Sequence, residues 1–276
     1  MTDINSLLQA RYGTGTSSTS NVVTNPSLET LLQHRSVRNF LPQSLAPGTL
    51  EVLIAAGQSA ATSSNLQTWS VVTIQDPNRK AKAAALSANQ EFIRQAPLFL
   101  VFCADLRRLT QVSQQQQTPG VALEYTEMFI MATVDATLAA QNVSVAAESL
   151  GLGICYVGGS RNQPRELAEL LHLPHRTIAL FGLAVGYPDP AKPAAVKPRL
   201  PLHEVLHQET WDDDIEKQKE HFTAYDNAIA SFNAGEKREG IPAWTERSAL
   251  RVAGVENLNG REIWNEVLHE RGFDLK

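Results

Sequence analysis

Residues 121–150, VALEYTEMFIMATVDATLAAQNVSVAAESL, form the longest periodic stretch of the chain and the one on which the fold depends. The middle of this stretch is apolar almost all the way round a helix, and Asp135 is the only charge between Glu127 and Glu148. A helix that is apolar on every side has to be buried on every side. We therefore predict a helix here that lies in a core shared between two subunits. A central helix in the core of a monomer is the alternative.

A strand and a glycine pair follow this helix directly. Residues 154–157, ICYV, have the composition of a buried strand, and GGSRN at 158–162 joins it to a helix with Pro164 in its first turn. Backbone N–H groups at such a turn can approach a flat or anionic ligand closely. The segment lacks the GxGxxG pattern of dinucleotide-binding folds, so an ordinary turn explains the glycines equally well.

Cationic side chains are concentrated in two short segments that lie far apart in the chain. The first is HRSVR at 34–38 and the second is KPR at 197–199. The arginine side chain offers a planar set of donors that fits phosphate, and a serine hydroxyl adds a short directional bond. The two segments therefore predict convergence on one phosphorylated ligand. The first would also suit the C-terminal end of a helix, where cations favour the helix dipole.

Apolar strands alternate with helices through the rest of the chain. The strands are predicted at 69–74, 98–104 and 177–187. Helices are predicted from Ser27, as N-cap, to the His34 segment, from Pro47 onward, over 79–95, within 209–239 and within 244–271. The polar segment 61–67, ATSSNLQ, precedes the first strand and is rich in donors and acceptors, which suits a ligand-binding position at a sheet edge.

Composition indicates a single domain with an N-terminal extension. Residues 1–26 are rich in Ser, Thr, Gly and Asn and predict a loosely ordered arm. Residues 107–120 contain four consecutive glutamines and predict a mobile loop. The remainder, 27–276, is predicted to be one domain with a charged helical excursion at about 209–243.

Charge and cysteine usage exclude several classes of function. The formal charge of −5 argues against nucleic acid or an anionic membrane as the main partner. Cys103 and Cys155 lie in apolar runs and are expected in the core. No HExxH or paired CxxC motif occurs, so no metal is predicted. No secretory signal and no apolar run near 18 residues is present, which predicts a cytoplasmic protein.

Four motifs in this order resemble the nitroreductase superfamily. They are HRSVRNF at 34–40, SSNLQTWS at 63–70, VAAESLGLGICYVGGSRN at 145–162 and VKPRLP at 196–201. Within the superfamily the chain is most similar to the oxygen-insensitive, NADPH-preferring nitroreductases and flavin reductases, over about 27–271. The resemblance implies an α+β fold, with a mainly antiparallel sheet flanked by helices. It also implies an intertwined homodimer with FMN at each of two interface sites.

The resemblance further implies roles for the residues at matching positions. His34 and Ser36, with Lys197 and Arg199, would hold the FMN phosphate, and Arg38 would reach the ribityl chain and the ring. Ser63, Ser64 and Gln67 would come from the partner subunit. Gln90 would bond the pyrimidine edge of the ring, and the backbone at Gly158 and Gly159 would lie against its N5 side. The full implied cofactor-binding set is His34, Arg35, Ser36, Arg38, Ser63, Ser64, Gln67, Gln90, Tyr156, Gly158, Gly159, Lys197 and Arg199.

The implied activity is ping-pong hydride transfer from NADPH or NADH, through FMN, to nitroaromatics, quinones or free flavin. No catalytic side chain is implied, because the cofactor carries the chemistry. Arg161 and Lys197 are expected to flank the open face of the ring, with Arg161 binding the substrate or NADPH. Lys237 and Arg238 match the arginine-rich loop that binds the NADPH 2′-phosphate only loosely, and a solvated surface turn is the alternative. Alternatives for the whole chain are an FMN reductase that supplies a monooxygenase, a flavin-binding protein without turnover, and a phosphate-binding module.

Overall fold

The computed structural model describes residues 3–13 and 22–276. The described chain divides into two compact units. The first contains the residues up to Arg35 together with Ala194–Asn257, and the second contains Ser36–Pro193 and Leu258–Lys276. Residues 1–2 and 14–21 of the predicted arm lie outside the described residues. The division into an arm and one domain over 27–276 stays a prediction.

The second unit is built on a four-stranded antiparallel sheet with strand order β1-β2-β4-β3. Its strands are β1 (Trp69–Ile74), β2 (Leu98–Asp105), β3 (Gly153–Val157) and β4 (Thr177–Gly186). Every residue of β2 is buried, as expected for a strand with neighbours on both edges and helices on its faces. All four predicted strands are present, which confirms the α+β class and the antiparallel sheet.

Helices accompany this sheet in the second unit and make up most of the first unit. In the first unit they are α1 (Ile4–Tyr12), α2 (Pro26–Leu32), α9 (Ile215–Gly235) and α10 (Trp244–Arg251). In the second unit they are α3 (Thr49–Gln58), α4 (Pro77–Leu86), α5 (Glu91–Gln95), α6 (Arg107–Gln115), α7 (Thr126–Ser149), α8 (Pro164–Leu170) and α11 (Trp264–Glu270). Short 3-10 turns lie at Ser63–Asn65, Val121–Glu124, Gly158–Arg161, Leu202–Glu204 and Val255–Leu258.

Helix α7 packs one face on the sheet and leaves an apolar stripe on the other. Its buried face carries mostly alanines, which let the helix approach the strands closely. On the far side Ile130, Val134 and Leu138, spaced four residues apart, are 51%, 48% and 41% exposed. Burial on every side is therefore not achieved within one chain. By length and composition alone α7 could also span a membrane, but contact with all four strands is what a core helix shows.

The helix predicted over 79–95 is wrong, because the structure breaks it into α4 and α5. Ala88 and Asn89 adopt left-handed backbone conformations, with φ of 64° and 53°. The hydroxyl of buried Ser87 lies 3.2 Å from that of Ser160, so the chain turns inward here. Gln90 consequently stands at the start of α5 instead of near the end of a long helix.

The mobile loop predicted at 107–120 is also wrong over most of its length. Residues 107–115 form helix α6, because arginine, leucine and glutamine are all good helix formers. Leu109 packs against the core on the inner side of this helix. The glutamine run lies at the end of α6, where Gln117 takes a left-handed conformation with φ of 54°.

In the first unit the N-terminal segment is helical where a loosely ordered arm was predicted. Asp3 caps α1 by accepting the Ser6 N–H at 3.2 Å, and Ile4, Leu7 and Arg11 form its buried face. These residues recur at i, i+3 and i+7, which is the spacing of one helix face. The prediction for residues 4–12 is therefore wrong.

The N-cap of the next helix also differs from the prediction. Asn25 caps α2 by accepting the Leu28 N–H at 3.0 Å, so Ser27 is not the cap. Pro26 takes the first helical position, where its missing N–H costs nothing. Helix α2 then ends at Leu32, so the His34 segment follows the helix, as predicted.

Candidate functional site

In the first unit Arg11 joins His34, the first residue of one cationic segment, to the other cationic segment at 197–199. Its guanidinium donates to the carbonyl oxygens of Leu32 and His34 at 2.8 and 2.9 Å, and to that of Lys197 at 2.8 Å. The backbone N–H of Arg199 in turn donates to the carbonyl of Arg11 at 3.0 Å. His34 and the KPR segment are thus joined through one buried side chain.

A cavity with a volume of about 860 Å³ opens beside the KPR segment, within the same unit. Its lining includes Lys197 and Arg199, with Arg247 and Arg251 one helical turn apart on α10. Tyr225 also lines it, and its hydroxyl donates to the carbonyl of Pro198 at 3.1 Å. Four cations around one cavity suit a ligand that carries phosphate. The residues present in this unit therefore fit a phosphorylated cofactor.

In the second unit the segment that follows Arg35 is fixed to the edge strand β3. Ser36 bridges to Ile154 in a parallel sense, and the Val37 N–H donates to the Ile154 carbonyl at 2.8 Å. A Cβ at Gly153 would come within 2.7 Å of the Val37 side chain, so glycine is required for this close packing. Burial raises the pKa of the Cys155 thiol, and the positive charge of Arg38 opposes that shift. Arg38 is thus held along β3, which ends at the glycine pair.

The break between α4 and α5 brings Gln90 to the glycine pair. A Cβ at Gly159 would lie 2.7 Å from both the Gln90 amide nitrogen and the Ser87 carbonyl oxygen. The Gln90 amide nitrogen donates to that same carbonyl at 2.8 Å. Gly159 is therefore needed for close backbone approach, whereas a Cβ at Gly158 would meet only the Arg161 side chain, at 3.5 Å.

The segment 62–68 is shaped by a buried carboxylate on helix α7. Asp135 is 1% exposed and accepts from the Thr62 hydroxyl at 2.6 Å and the Ser63 N–H at 3.0 Å. It also accepts from the N–H and the hydroxyl of Thr68, at 3.1 and 3.0 Å. Burial acts to raise the pKa of Asp135, but hydrogen bonds from Thr62, Ser63 and Thr68 outweigh it, so the pKa is lowered. The carboxylate is therefore charged at neutral pH.

Between these anchors the backbone is strained. Ser64, Asn65 and Gln67 take left-handed conformations, with φ of 49°, 55° and 52°. Non-glycine residues rarely adopt this region, and they persist there only where surrounding contacts hold them. The Gln67 N–H donates to the Thr62 hydroxyl at 2.9 Å, and Arg108 donates to the Gln67 carbonyl. Ser63, Ser64 and Gln67 are consequently presented at the surface.

Two other predicted residues have side chains engaged with the protein. The Tyr156 hydroxyl accepts from Ser144 at 3.1 Å and donates to Gln141 at 3.4 Å, and its ring packs on Phe181. The Arg161 guanidinium donates to the Leu180 carbonyl at 2.7 Å, and burial lowers its pKa. Their roles in binding stay predictions.

Lys237 and Arg238 lie in the turn that ends α9. Lys237 has a φ of 54°, and the Arg238 N–H donates to the Asn233 carbonyl at 2.8 Å. The Arg238 guanidinium lies 3.5 Å from Glu236 and 5.8 Å from the centre of the Phe232 ring. Both residues are exposed, so a ligand could reach either.

Sequence reasoning missed the two residues that organise these segments. Asp135 carried a signal, since it is the lone charge within an apolar helix, and a buried charge must have partners. Arg11 carried a weaker one, because it continues the apolar face of Ile4 and Leu7. Neither pattern predicts which segment of the chain the Asp135 or Arg11 side chain contacts.

Comparison with known proteins identifies the family. Residues 31–187 match the nitroreductase family, and residues 197–276 match the C-terminal domain of that family. The chain is 37% identical over 254 residues to FMN reductase (NADPH) of Bacillus subtilis, spanning 91% of this chain and 99% of that protein. The chain belongs to the nitroreductase family.

Solved structures agree with this assignment. The structure of B. megaterium NfrA1 superposes with a TM-score of 0.85 at 38% identity, covering 91% of this chain and all of that one. NADPH:FMN oxidoreductase from Vibrio harveyi, solved with NAD+, gives a TM-score of 0.80 at 32% identity and covers 91% of this chain and all of that one. The nitroreductase fold predicted from the motifs is therefore confirmed.

Proposed function

We propose that this chain transfers hydride from NADPH or NADH to a nitroaromatic, a quinone or free flavin in two half-reactions that share one site. Family membership makes the chain an FMN-dependent NAD(P)H oxidoreductase. When bound, FMN supplies a ring position that accepts a hydride and passes two electrons on. The observation that carries the proposal is the convergence of the His34 and Lys197 segments through Arg11.

The residues of the first unit hold the phosphate in this proposal. His34, Lys197 and Arg199 supply charge-assisted hydrogen bonds, and each such bond contributes about 1.5–3 kcal/mol. Ser36, which belongs to the second unit and lies beside Ile154, is assigned to the phosphate on the family resemblance alone. Arg35, the residue after His34, is assigned to the same phosphate-binding cluster.

The residues of the second unit orient the ring and the ribityl chain. Gln90 would bond the pyrimidine edge, and the Gly158-Gly159 backbone would lie against the N5 side of the ring. A side chain at Gly159 would collide with Gln90. Arg38 is assigned to the ribityl chain and the adjoining ring edge. Tyr156 supports strand β3, because its hydroxyl accepts a hydrogen bond from Ser144 on helix α7.

A homodimer completes the proposed site. The exposed stripe of Ile130, Val134 and Leu138 on α7 would be covered by a second copy, and Ser63, Ser64 and Gln67 would then reach the flavin of the partner. Light scattering at micromolar protein is expected to give about twice the chain mass of 30.2 kDa. A monomer that keeps its FMN would remove these three residues from the site.

A dedicated FMN reductase is the second candidate, favoured by the activity for which the Bacillus subtilis relative is named. Steady-state competition between free FMN and a nitroaromatic acceptor separates the two candidates. A preference for free FMN of several orders of magnitude in kcat/KM would support the second. Comparable kcat/KM values for the two acceptors would support the broader oxidoreductase.

A cytoplasmic location of the protein stays a prediction.

Two observations on the purified protein test the proposal as a whole. Bound FMN should show its visible absorption, and this should bleach when NADPH is added without an acceptor. Arg199→Ala should raise the Kd for FMN about tenfold or more, as loss of about 1.4 kcal/mol would. A colourless protein that takes up no added FMN would refute the proposal, and an unchanged Kd would remove Arg199 from the site.

A further inference from the structure

Helix α1 lies outside the matched family ranges, yet it contributes the side chain that joins the proposed phosphate-binding segments. The family match begins at residue 31, whereas α1 is Ile4–Tyr12. The Bacillus subtilis relative is covered over 99% of its length, while 91% of this chain is matched. The contacts of α1 are therefore a feature of this chain beyond what the family match covers.

The Arg11 side chain bridges two segments of the backbone. Its side chain is 6% exposed, and its two terminal nitrogens donate to carbonyl oxygens on both segments, Leu32 and His34 on one and Lys197 on the other. The Arg11 carbonyl accepts from the Arg199 N–H, so the helix backbone adds a fourth contact. A planar guanidinium fixes the directions of its donors, so these carbonyls are held at one spacing.

We propose that Arg11 is a positioning residue for flavin phosphate binding. It holds the His34 segment and the Lys197–Arg199 segment at the separation at which both reach one phosphate group. Without it, the Leu32 and His34 carbonyls lose this donor, and the Lys197 carbonyl keeps the Arg199 guanidinium, at 3.2 Å, which lies on its own segment. The inference rests on the proposed function, in which His34, Lys197 and Arg199 bind the phosphate.

The test compares FMN with riboflavin, which has the same ring but no phosphate. Full-length apoprotein is titrated with each flavin, and the Kd is read from quenching of flavin fluorescence. Arg11→Ala is expected to raise the Kd for FMN at least tenfold and the Kd for riboflavin less than twofold. Arg11→Lys, which keeps the charge but not the planar fork, should recover part of the FMN affinity and replaces the alanine variant if that one does not fold. Gln9→Ala, an exposed change on the same helix, should alter neither Kd.

The outcomes separate this inference from the function on which it rests. If Arg11→Ala weakens FMN and riboflavin equally, or weakens neither, Arg11 has no positioning role toward the phosphate. If Arg199→Ala selectively weakens FMN while Arg11→Ala does not, the phosphate site stands and only the role of Arg11 falls. If Arg199→Ala also leaves FMN binding unchanged, Arg199 is removed from the site, and the assignment of the Lys197–Arg199 segment to the phosphate, on which the inference rests, loses its support.

Discussion

Replacing Asp135 by asparagine tests how the strained segment 62–68 is held. The carboxylate accepts one bond through Oδ1, from Ser63, and three through Oδ2, from Thr62 and Thr68. A carboxamide has one accepting oxygen, so its nitrogen must face at least one donor. In the least harmful orientation that donor is the Ser63 N–H. Loss of this charge-assisted bond, with two donors left face to face, should cost about 2–3 kcal/mol.

The assay is thermal unfolding, followed by flavin titration. For a chain of this size a loss of 2–3 kcal/mol corresponds to a fall in Tm of roughly 5–10 °C. Asp213→Asn makes the same chemical change at an exposed position and should leave Tm unchanged. Since Ser64, Asn65 and Gln67 would be freed from their left-handed conformations, the Kd for FMN should also rise. If Asp135→Asn and wild type have equal Tm values and equal FMN affinities, Asp135 does not hold the segment 62–68 in place.

The pH dependence of the stability that Asp135 contributes follows from the direction of its pKa shift. The folded chain lowers the pKa of Asp135 below that of the unfolded chain, which is about 3.9 for aspartate. The carboxylate therefore contributes stability that is complete above the unfolded pKa and is lost as pH falls through the folded pKa. The Tm difference between wild type and Asp135→Asn should be constant from pH 8 to about pH 5 and shrink below about pH 4. A difference that grows on acidification would contradict this reasoning.

Three further predictions concern nucleotide choice, strand packing and thiol reactivity. Replacing Lys237 and Arg238 together by alanine should raise the KM for NADPH about tenfold while the KM for NADH hardly moves; equal effects would indicate a folding defect. Gly153→Ala should lower stability by about 1–3 kcal/mol in thermal unfolding, because its Cβ would come within 2.7 Å of Val37, and an unchanged Tm would show that the strand can shift. Burial raises the pKa of Cys103 to about 12, so this thiol should resist alkylation at pH 8 until the protein is denatured.

Elements with a local signal were predictable from the sequence, and those decided by tertiary contact were not. The strand β2 is a continuous apolar run and was placed to within one residue. The break after Leu86 was not predicted, because alanine and serine are compatible with a helix and only the contact of Ser87 with Ser160 shows why the chain turns. Helix α6 is not predicted, because the glutamine run at 114–117 is typical of a low-complexity loop and obscures the helix propensity of the residues before it.

The candidate site divides in the same way. Residues that touch a ligand carry motifs, since phosphate and a flat ring demand particular side chains at particular spacings. Arg11 and Asp135 bond to protein groups that are distant from them in the sequence, so what matters for them is where the fold places those groups. A single sequence does not encode that position in any short pattern. The resemblance to the nitroreductase superfamily accordingly implies the residues that are proposed to face the ligand and implies no role for Arg11 or Asp135.

The two buried charged residues, Asp135 and Arg11, also determine whether the site is formed before a ligand binds. Each compensates its burial by bonding to several groups of a site segment, Asp135 through four donors and Arg11 through three carbonyls. A buried charge without such partners would cost several kcal/mol, so each charge favours the one arrangement of the segment that satisfies it. The segments are therefore held in position by the folded protein before any ligand binds. Since less conformational freedom is then lost on binding, flavin affinity should depend on these anchors as strongly as on the residues that touch the flavin.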